Sequence, residues 1–350
     1  KEITAMKTVL LGKTKNFFKA NLHMHTTISD GQMTPEEVKE AYRSNGYSIV
    51  AFTDHDVMVP HNDLTDKDFL AITSCEMEIN QPNPENDFSL ISTYHLNFFS
   101  KDPGAETLPC FSQRYVWLAH SKKYVTDEMR KTDYIREYSV ECINDMISKA
   151  NAAGFLVSYN HPVWSLQTRD DYAELKGLWG VECYNTGCAR AGMTDNEQPF
   201  DDLLKKGNRI FPLATDDAHT RRDLFGGFAM GDAEKLEYAA VMRALEKGDF
   251  YSSTGPLILE LCFEENQLSV RCSKAVKIVL NTDRRFALTI AAESGKTLEG
   301  GTFDLSEFLR GALAHDTTRY PFFFRVTVVD ERGDKAWTRA YFEEDLRESL

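Results

Sequence analysis

Residues 17 to 53 constrain the fold more than any other stretch, because they spell a strand, a helix and a second strand in close succession. Phe17-Phe18-Lys19-Ala20-Asn21-Leu22-His23-Met24-His25 reads as a strand. Its period of two places His23 and His25 on one face and Leu22 and Met24 on the other. Thr26 to Gly31 form a loop, and Thr34-Pro35-Glu36-Glu37 then opens a helix. That tetrapeptide has a threonine N-cap, proline at the first helical position and glutamate at the capping-box position. The helix stops at Asn45-Gly46, as a C-terminal glycine predicts. Tyr47 to Thr53 is an apolar strand that empties into Asp54-His55-Asp56. Two strands joined through a helix predict a parallel sheet.

The same rhythm continues along the chain. Phe69 to Ser74 is a short apolar strand ending in Cys75-Glu76, and Ser89 to Phe99 is a strand carrying His95. Residues 100 to 133 are irregular and polar, with room for a lid or a helical excursion. Helical spacing over Tyr138 to Ala153 ends at Gly154, and Phe155 to Tyr159 is a strand leading to Asn160-His161-Pro162. Leu178 to Tyr184 is the next strand and Asn196 to Lys206 the next helix. Arg209 to Ala214 is a strand running into Thr215-Asp216-Asp217-Ala218-His219, and Glu234 to Lys247 is a last amphipathic helix.

His23 and His25 alone would suit either a metal site or two half-buried histidines at a strand edge. Their company decides. His23/His25, His55, Glu76, His161 and Asp217/His219 all fall at or just beyond the C-terminal end of a predicted strand, the face on which parallel barrels carry chemistry. With His95, six of the nine histidines are used in this way. Histidines scattered through a core or over a surface have no reason to choose strand ends.

Composition narrows the rest. With 350 residues, 42% of them hydrophobic, the chain can build one large α/β barrel and a modest appendage. A formal net charge of -14 weighs against coating long nucleic acid, which Lys and Arg contacts to phosphates dominate, but not against small anions. Seven scattered cysteines without a Cys-x-x-Cys pair predict reduced, packed thiols. The start lacks an apolar signal core and no stretch is long enough to span a membrane, so a cytoplasmic location and no membrane partner are expected. Beyond Gly255-Pro256 the texture changes to short alternating strands: Leu257 to Phe263, Gln267 to Cys272, Val276 to Asn281, Ala287 to Ala292, Phe322 to Asp330 and Ala336 to Phe342. These predict a small antiparallel, sandwich-like β domain over 257–350, following a first domain over 1–256.

Taken together, His23-x-His25, Asp30, Asp54-His55-Asp56, Glu76, His95, His161-Pro162 and Asp217-x-His219 resemble the motif set of the PHP family, named for polymerase and histidinol phosphatase. The resemblance covers about residues 18 to 256, and the segment from Gly248 to Pro256 is similar to the one that closes the domain in stand-alone phosphoesterases of that family. It implies a distorted barrel of seven parallel strands with helices outside. It also implies a trinuclear centre with metal ligands His23, His25, Asp30, His55, Glu76, His95, His161, Asp217 and His219. One metal would take His23, His25, Glu76 and Asp217. A second would share Glu76 and add His95 and His161, and a third would take Asp30, His55 and His219. Nitrogen and carboxylate ligands without thiolate suit two or three divalent ions of manganese, zinc or iron. Between Asp216 and Asp217, the Asp-x-His spacing favours Asp217. Asp54, Asp56 and Asn160 would either orient an imidazole or cap a turn.

The activity implied is hydrolysis of a small phosphomonoester, nucleotide or short oligonucleotide by metal-activated hydroxide. Such a reaction needs a nucleophile at neutral pH and compensation for charge growing on the phosphoryl group. Glu76, Asp217 and His219 are the expected catalytic residues, with His219 or His61 as a candidate general acid. Arg190 and Arg221, with Arg222 near by, are candidate phosphate clamps, although such positions more often hold a solvated arginine and only Arg190, in the loop after the strand containing Glu182, weighs evenly between the two. Histidinol-phosphate hydrolysis and 3′ or 5′ exonuclease action on single-stranded ends are alternatives. A non-enzymatic metal-binding module ranks last, because no position of the set has lost its ligand.

Overall fold

The computed structural model describes residues 7–315 and 322–346. The chain opens with β1 (Thr8–Leu11), β2 (Phe17–Asn21), α1 (Pro35–Ser44), β3 (Ile49–Phe52), β4 (Leu70–Asn80) and β5 (Thr93–Ser100). Three short 3-10 turns interrupt the irregular stretch that follows, before α2 (Val140–Ala152), β6 (Phe155–Tyr159), α3 (Arg169–Tyr172), β7 (Gly180–Asn185) and α4 (Thr186–Arg190). Next come α5 (Gln198–Lys205), β8 (Phe211–Thr215), β9 (Phe228–Asp232), α6 (Tyr238–Lys247) and β10 (Phe250–Ser253). The C-terminal part holds β11 (Ile258–Glu264), β12 (Gln267–Ala275), β13 (Lys277–Thr282), β14 (Ala287–Ala291), β15 (Leu298–Asp304), α7 (Ser306–Leu313), β16 (Phe323–Val329), β17 (Lys335–Thr338), β18 (Tyr341–Phe342) and α8 (Glu343–Leu346).

The predicted capping box on α1 is formed from both sides. The Glu37 amide donates to Thr34 Oγ1 at 3.3 Å and the Thr34 amide to Glu37 Oε2 at 2.9 Å. Val38 and Tyr42 face inward from this helix, and Tyr42 reaches into the site described below. The helix α6 ends on Gly248, whose φ of 72° is the left-handed turn that a glycine C-cap adopts freely.

The large sheet runs β14-β13-β16-β17-β10-β9-β2-β3-β4-β5-β6-β7-β8. Its pairings β2–β3, β3–β4, β6–β7 and β7–β8 are parallel, as the βαβ rhythm predicts. The expectation of seven parallel strands is corrected at β5, which runs antiparallel to both β4 and β6. The cause is the connection. Only a turn and a short 3-10 segment separate β4 from β5, too little chain for a crossover helix, so the strand must fold back as a hairpin. The sheet is therefore mixed, and its strand order is an open path among the described residues. A single parallel bridge, Met24 to Ala218, ties the chain after β2, in the middle of that order, to the chain after β8, at one end of it.

All pairings of the C-terminal strands are antiparallel. Strand β1 joins them, pairing with β11, so residues 8 to 11 belong to a second sheet of order β1-β11-β12-β15. One apolar cluster, including Leu10, Leu261, Val270, Ile278, Phe308 and Val326, fills the space between these strands and α7. Strand β17 pairs with β10 and makes this part continuous with the large sheet. A bidentate ion pair from buried Arg325 on β16 to half-buried Asp201 on α5, at 2.9 Å for each contact, adds a second tie. All seven cysteines are free and six are buried, in line with packed thiols. No helix among the described residues is long and apolar enough to cross a membrane.

Candidate metal centre

Beyond Asn21 the chain stays extended, so the alternation of β2 carries through to His25. His23 and His25 turn to the same side with their Nε2 atoms 3.1 Å apart, while Leu22 and Met24 join apolar clusters. Glu76 lies within β4 instead of after it, because pairing with β5 extends the strand to Asn80. The parallel ladder with β3 stops at Thr73, however, so Glu76 stands beyond the parallel part, bridging to His55 on that side and to Asn97 of β5 on the other. His95 sits near the start of β5. Since that strand is reversed, its start lies at the same end of the sheet as the C-terminal ends of its parallel neighbours.

Glu76 is the centre of the cluster. Its Oε1 lies 3.2 Å from His23 Nε2, 3.2 Å from His95 Nδ1 and 3.4 Å from His161 Nε2. Its Oε2 lies 3.3 Å from His25 Nε2 and 3.4 Å from His55 Nδ1. Asp217 Oδ1 is 3.2 Å from His23 Nε2 and 3.1 Å from His25 Nε2. Asp30 Oδ2 is 3.3 Å from His219 Nε2 and 3.7 Å from His55 Nε2. All nine predicted ligand residues are thus brought together. Four overlapping groups have donor atoms close enough to share an ion: His25/Asp30/His55/His219, His23/Glu76/His161, His23/His25/Asp217 and His55/Glu76/His95. The grouping differs from the implied division in that His25 also reaches Asp30 and His55 also reaches Glu76.

The carboxylates beside these rings fix their charge. Burial penalises the charged form of His25, yet Asp217 and Glu76 outweigh it and raise the ring to about 10. For His161 burial is likewise outweighed, chiefly by Glu76, and its value rises to about 9. Burial, reinforced by His25, instead pushes His55 down to about 3. For Glu76, Asp217 and Asp30 burial favours the neutral acid, but the surrounding histidines hold all three below the usual carboxylate range.

Divalent ions fit this set of donors. His55 Nδ1, both ring nitrogens of His95 and Asp217 Oδ1 are buried without a hydrogen-bond partner. Buried polar atoms are ordinarily paired. Here His55 and His95 belong to one group of potential ligands with Glu76, and Asp217 to another with His23 and His25.

A surrounding layer of hydrogen bonds holds the donors in place. Glu182, buried on β7, accepts from four groups: His23 Nδ1 at 2.7 Å and the Thr215 hydroxyl at 2.6 Å on one oxygen, the His161 amide and Asn185 Nδ2 at 3.0 Å each on the other. With the proton on Nδ1, His23 presents a free Nε2 to the cluster. Asn160 Nδ2 donates to Glu76 Oε1 at 2.8 Å. Asp54 accepts from the amides and hydroxyls of Thr26 and Ser29 and so shapes the loop carrying Asp30. Asp216 is fully spent on Tyr42, Thr186 and the amides of Phe225, Gly226 and Gly227, which explains why Asp217 is the one facing the histidines. A Cβ on Gly227 would stand 2.5 Å from the Thr215 carbonyl oxygen, so only glycine lets that loop close over Asp216. Asp56, His161 and Asp217 all have left-handed φ values, of 56°, 26° and 47°. Such strain persists where the surroundings over-determine the backbone. Here each amide is held, by Glu76 O, Glu182 Oε2 and His23 O respectively.

The cluster floors a cavity of about 790 Å³, whose lining includes seven of the nine residues, His23 and His25 lying behind. Arg190 donates to the Leu224 carbonyl and Arg221 pairs with Glu37, and neither lines the cavity. The arginines that do are Arg114 and Arg222. His61 is buried against Phe52 and lies outside the lining as well. His219 is the exposed edge of the cluster, about a third of its side chain open to solvent. The stretch expected as a lid is fastened down. His120 bonds the Ser29 carbonyl at 2.6 Å and the Ser121 hydroxyl donates to the Ile28 carbonyl at 2.6 Å. Arg136, buried, donates to Asp56 at 2.5 Å and to the Glu78 carbonyl at 2.9 Å.

Sequence reasoning missed Glu182, Arg136 and the aromatic residues of the cavity wall. For Glu182 a signal existed: a carboxylate inside the apolar run Gly180-Val181-Glu182-Cys183 must be paired when buried. Arg136 offered none, since it comes from an irregular segment.

A family model described as the PHP domain matches residues 21–206. No curated protein is similar to the chain at a significant level. Among solved structures, a two-domain protein from Bacteroides vulgatus containing a predicted PHP-like metal-dependent phosphoesterase is 14% identical, over 97% of this chain and 99% of its own, with a TM-score of 0.44. An amidohydrolase from Chromobacterium violaceum is 15% identical over 58% of this chain and 88% of its own, TM-score 0.38. A lesion-specific endonuclease from Pyrococcus furiosus is 16% identical over 66% and 56%, TM-score 0.38.

Proposed function

Since this chain belongs to the PHP domain family, we propose that it is a metal-dependent phosphoesterase acting on small phosphate esters. The observation that carries this reading is the convergence of six imidazoles and three carboxylates, with several donor atoms unpartnered, at the floor of one cavity. His23, His25, Asp30, His55, Glu76, His95, His161, Asp217 and His219 would hold two or three divalent transition ions. Bound there, the ions would supply Lewis acidity toward the phosphoryl oxygens and lower the pKa of water. The Met24–Ala218 bridge supports reading the curled sheet as the family's distorted barrel.

The chain's own residues prepare the site. Glu182 fixes the tautomer of His23, Asn160 aims Glu76, and Asp54 holds the loop that presents Asp30. His219 stacks on His25 with ring centroids 4.2 Å apart and opens to the cavity; where it is not committed to an ion, its imidazole would carry a proton toward a leaving oxygen. Arg222 replaces Arg190 and Arg221 as the cation available to a phosphate, since the residue lines the cavity and its Nε lies 3.7 Å from Asp223, a loose pair.

The test is a phosphate-release screen of the manganese-loaded protein across mononucleotides, nucleoside bisphosphates, histidinol phosphate and short oligonucleotides. Release from small esters that disappears with a chelator is expected. No release from any of them under manganese, zinc or iron would end the proposal.

A further inference from the structure

The cavity wall above the cluster is aromatic in a way that the chemistry of the floor does not require. Trp117 is 55% exposed and Phe88 44%, and both line the cavity with Trp164 and Tyr115. Trp117 stands over His55, ring centroids 6.4 Å apart. Trp164 stands over His161 at 5.1 Å and His95 at 5.4 Å, with Phe88 a further 6.0 Å from it. The two indoles therefore come up from different sides of the cluster. They also come from different segments, one following β5 and the other following β6.

An indole left more than half exposed keeps a large apolar face in water, and a concave wall of such faces marks a place that a ligand covers. This wall is also built to stay where it is. The segment bearing Trp117 is tied to the Asp30 loop by His120 and Ser121, and to the His55 loop by Arg136. The Arg136 amide accepts no freedom either, donating to Tyr115 Oη at 2.9 Å. A rigid aromatic face costs little entropy on binding.

Resting on the phosphoesterase reading, we propose that the substrate is a phosphate ester whose leaving group carries a flat aromatic ring, as in a nucleoside monophosphate, and that Trp117 and Trp164 seat that ring while its phosphate lies on the floor. Asn80 and Thr220 line the same cavity, their donor groups taken by Glu78 and Asp223. Stacking of this kind tolerates any base, so the wall selects for a planar ring and not for one base.

The experiment compares kcat/KM for adenosine monophosphate and for glycerol 3-phosphate in the wild type, Trp117→Leu and Trp117→Phe. Calorimetry of adenosine binding to the metal-free protein is run in parallel. Leucine keeps apolar bulk and loses the ring face. It should weaken adenosine binding and lower the adenosine-to-glycerol ratio by roughly five- to 150-fold, with phenylalanine restoring most of both. An equal loss on both substrates would make Trp117 a screen against water and overturn the proposal, as would a wild type equally efficient on both. If neither ester is hydrolysed, the wider phosphate-release screen decides the phosphoesterase reading by itself, while adenosine binding that is lost in Trp117→Leu supports the aromatic seat and binding unchanged by it overturns the seat.

Discussion

Replacing Glu182 by glutamine keeps its shape and removes its charge, and the four donors around it make the outcome calculable. One amide position accepts and the other donates. If the amino group takes the place of Oε1 it confronts His23 Nδ1 and the Thr215 hydroxyl, and His23 must move its proton to Nε2, the atom facing Glu76 and Asp217. If it takes the place of Oε2 it confronts the His161 amide and Asn185 Nδ2. In the second case two buried donors lose their acceptor, at about 1–3 kcal/mol each, or roughly 2–6 kcal/mol in total; in the first the Thr215 hydroxyl loses its acceptor and His23 turns an N–H in place of a lone pair toward the cluster. With an unfolding entropy of about 2.1 cal/mol/K per residue, roughly 0.7 kcal/mol/K over the chain, that corresponds to a fall in Tm of about 3–8 °C. Metal affinity should drop about 10–100-fold, the usual effect of losing the group that orients a ligating histidine. Scanning calorimetry and a chelator-competition titration with zinc measure the two effects. A Glu182→Gln protein that melts with the wild type and binds zinc within threefold of it would refute the reasoning.

Glu76→Ala should be the most damaging single change at the cluster, lowering phosphate release by more than about 100-fold, because its two oxygens lie among five imidazoles. His219→Ala, at the exposed edge, should cost less, and the reverse order in a side-by-side assay would contradict the geometry. Asp195→Asn tests a buried acid away from the ligands: burial pushes its carboxyl up to about 7, and one oxygen has no partner. A folded pKa above the unfolded value means that stability is fully present below about pH 4 and is lost as pH rises to about 7, so the asparagine variant should gain on the wild type between pH 5 and pH 8, by at most about 3 kcal/mol. Melts showing the same gap at both pH values would count against it. Finally, kcat/KM should fall as phosphorylated oligonucleotides lengthen, since a chain of net charge -14 offers distant phosphates few cations. Efficiency that rises with length and is lost on adding salt would reveal a basic track.

The elements that formed as expected are those with signals local in sequence. The capping box and terminal glycine bound α1, and the apolar run Phe155–Tyr159 is β6 to the residue. The metal-type residues were legible because they recur at strand ends, a pattern that survives small errors in strand limits. Reversal of β5 was not legible, since an apolar strand reads the same in either direction and only the short β4–β5 connection hints at a hairpin. Strands β1, β9 and β10 were missed for a related reason: they are short, and their pairing comes from distant segments, β1 with β11, β9 with β2 and β10 with β17; β15 was missed because Gly300 and Gly301 interrupt its alternation. Arg190 and Arg221 were chosen for standing in loops after strands, but loop position does not fix where a long side chain ends, and Glu37 and the Leu224 carbonyl claim them.

The reversal of β5 also explains how the cluster and the aromatic wall come to be one unit. A hairpin at β4–β5 places Glu76 and His95 on adjacent strands with no helix between them, so both project into the site within a few residues of each other. It also turns the chain around, so that β5 ends at the far side of the sheet and the segment after it must travel back to the site before α2 can begin. That return passage is the irregular stretch bearing Trp117, Tyr115 and Arg136. On arrival Arg136 buries its guanidinium against Asp56 and stacks on Tyr115, 4.4 Å from the ring centroid. A buried ion pair of this kind is costly to break from one side, which fixes the position of the segment more than it adds to stability. Asp56 is adjacent to His55, so the pair that holds the wall also holds a donor of the cluster. A parallel β5 followed directly by its helix would have left the cluster open to water on that side.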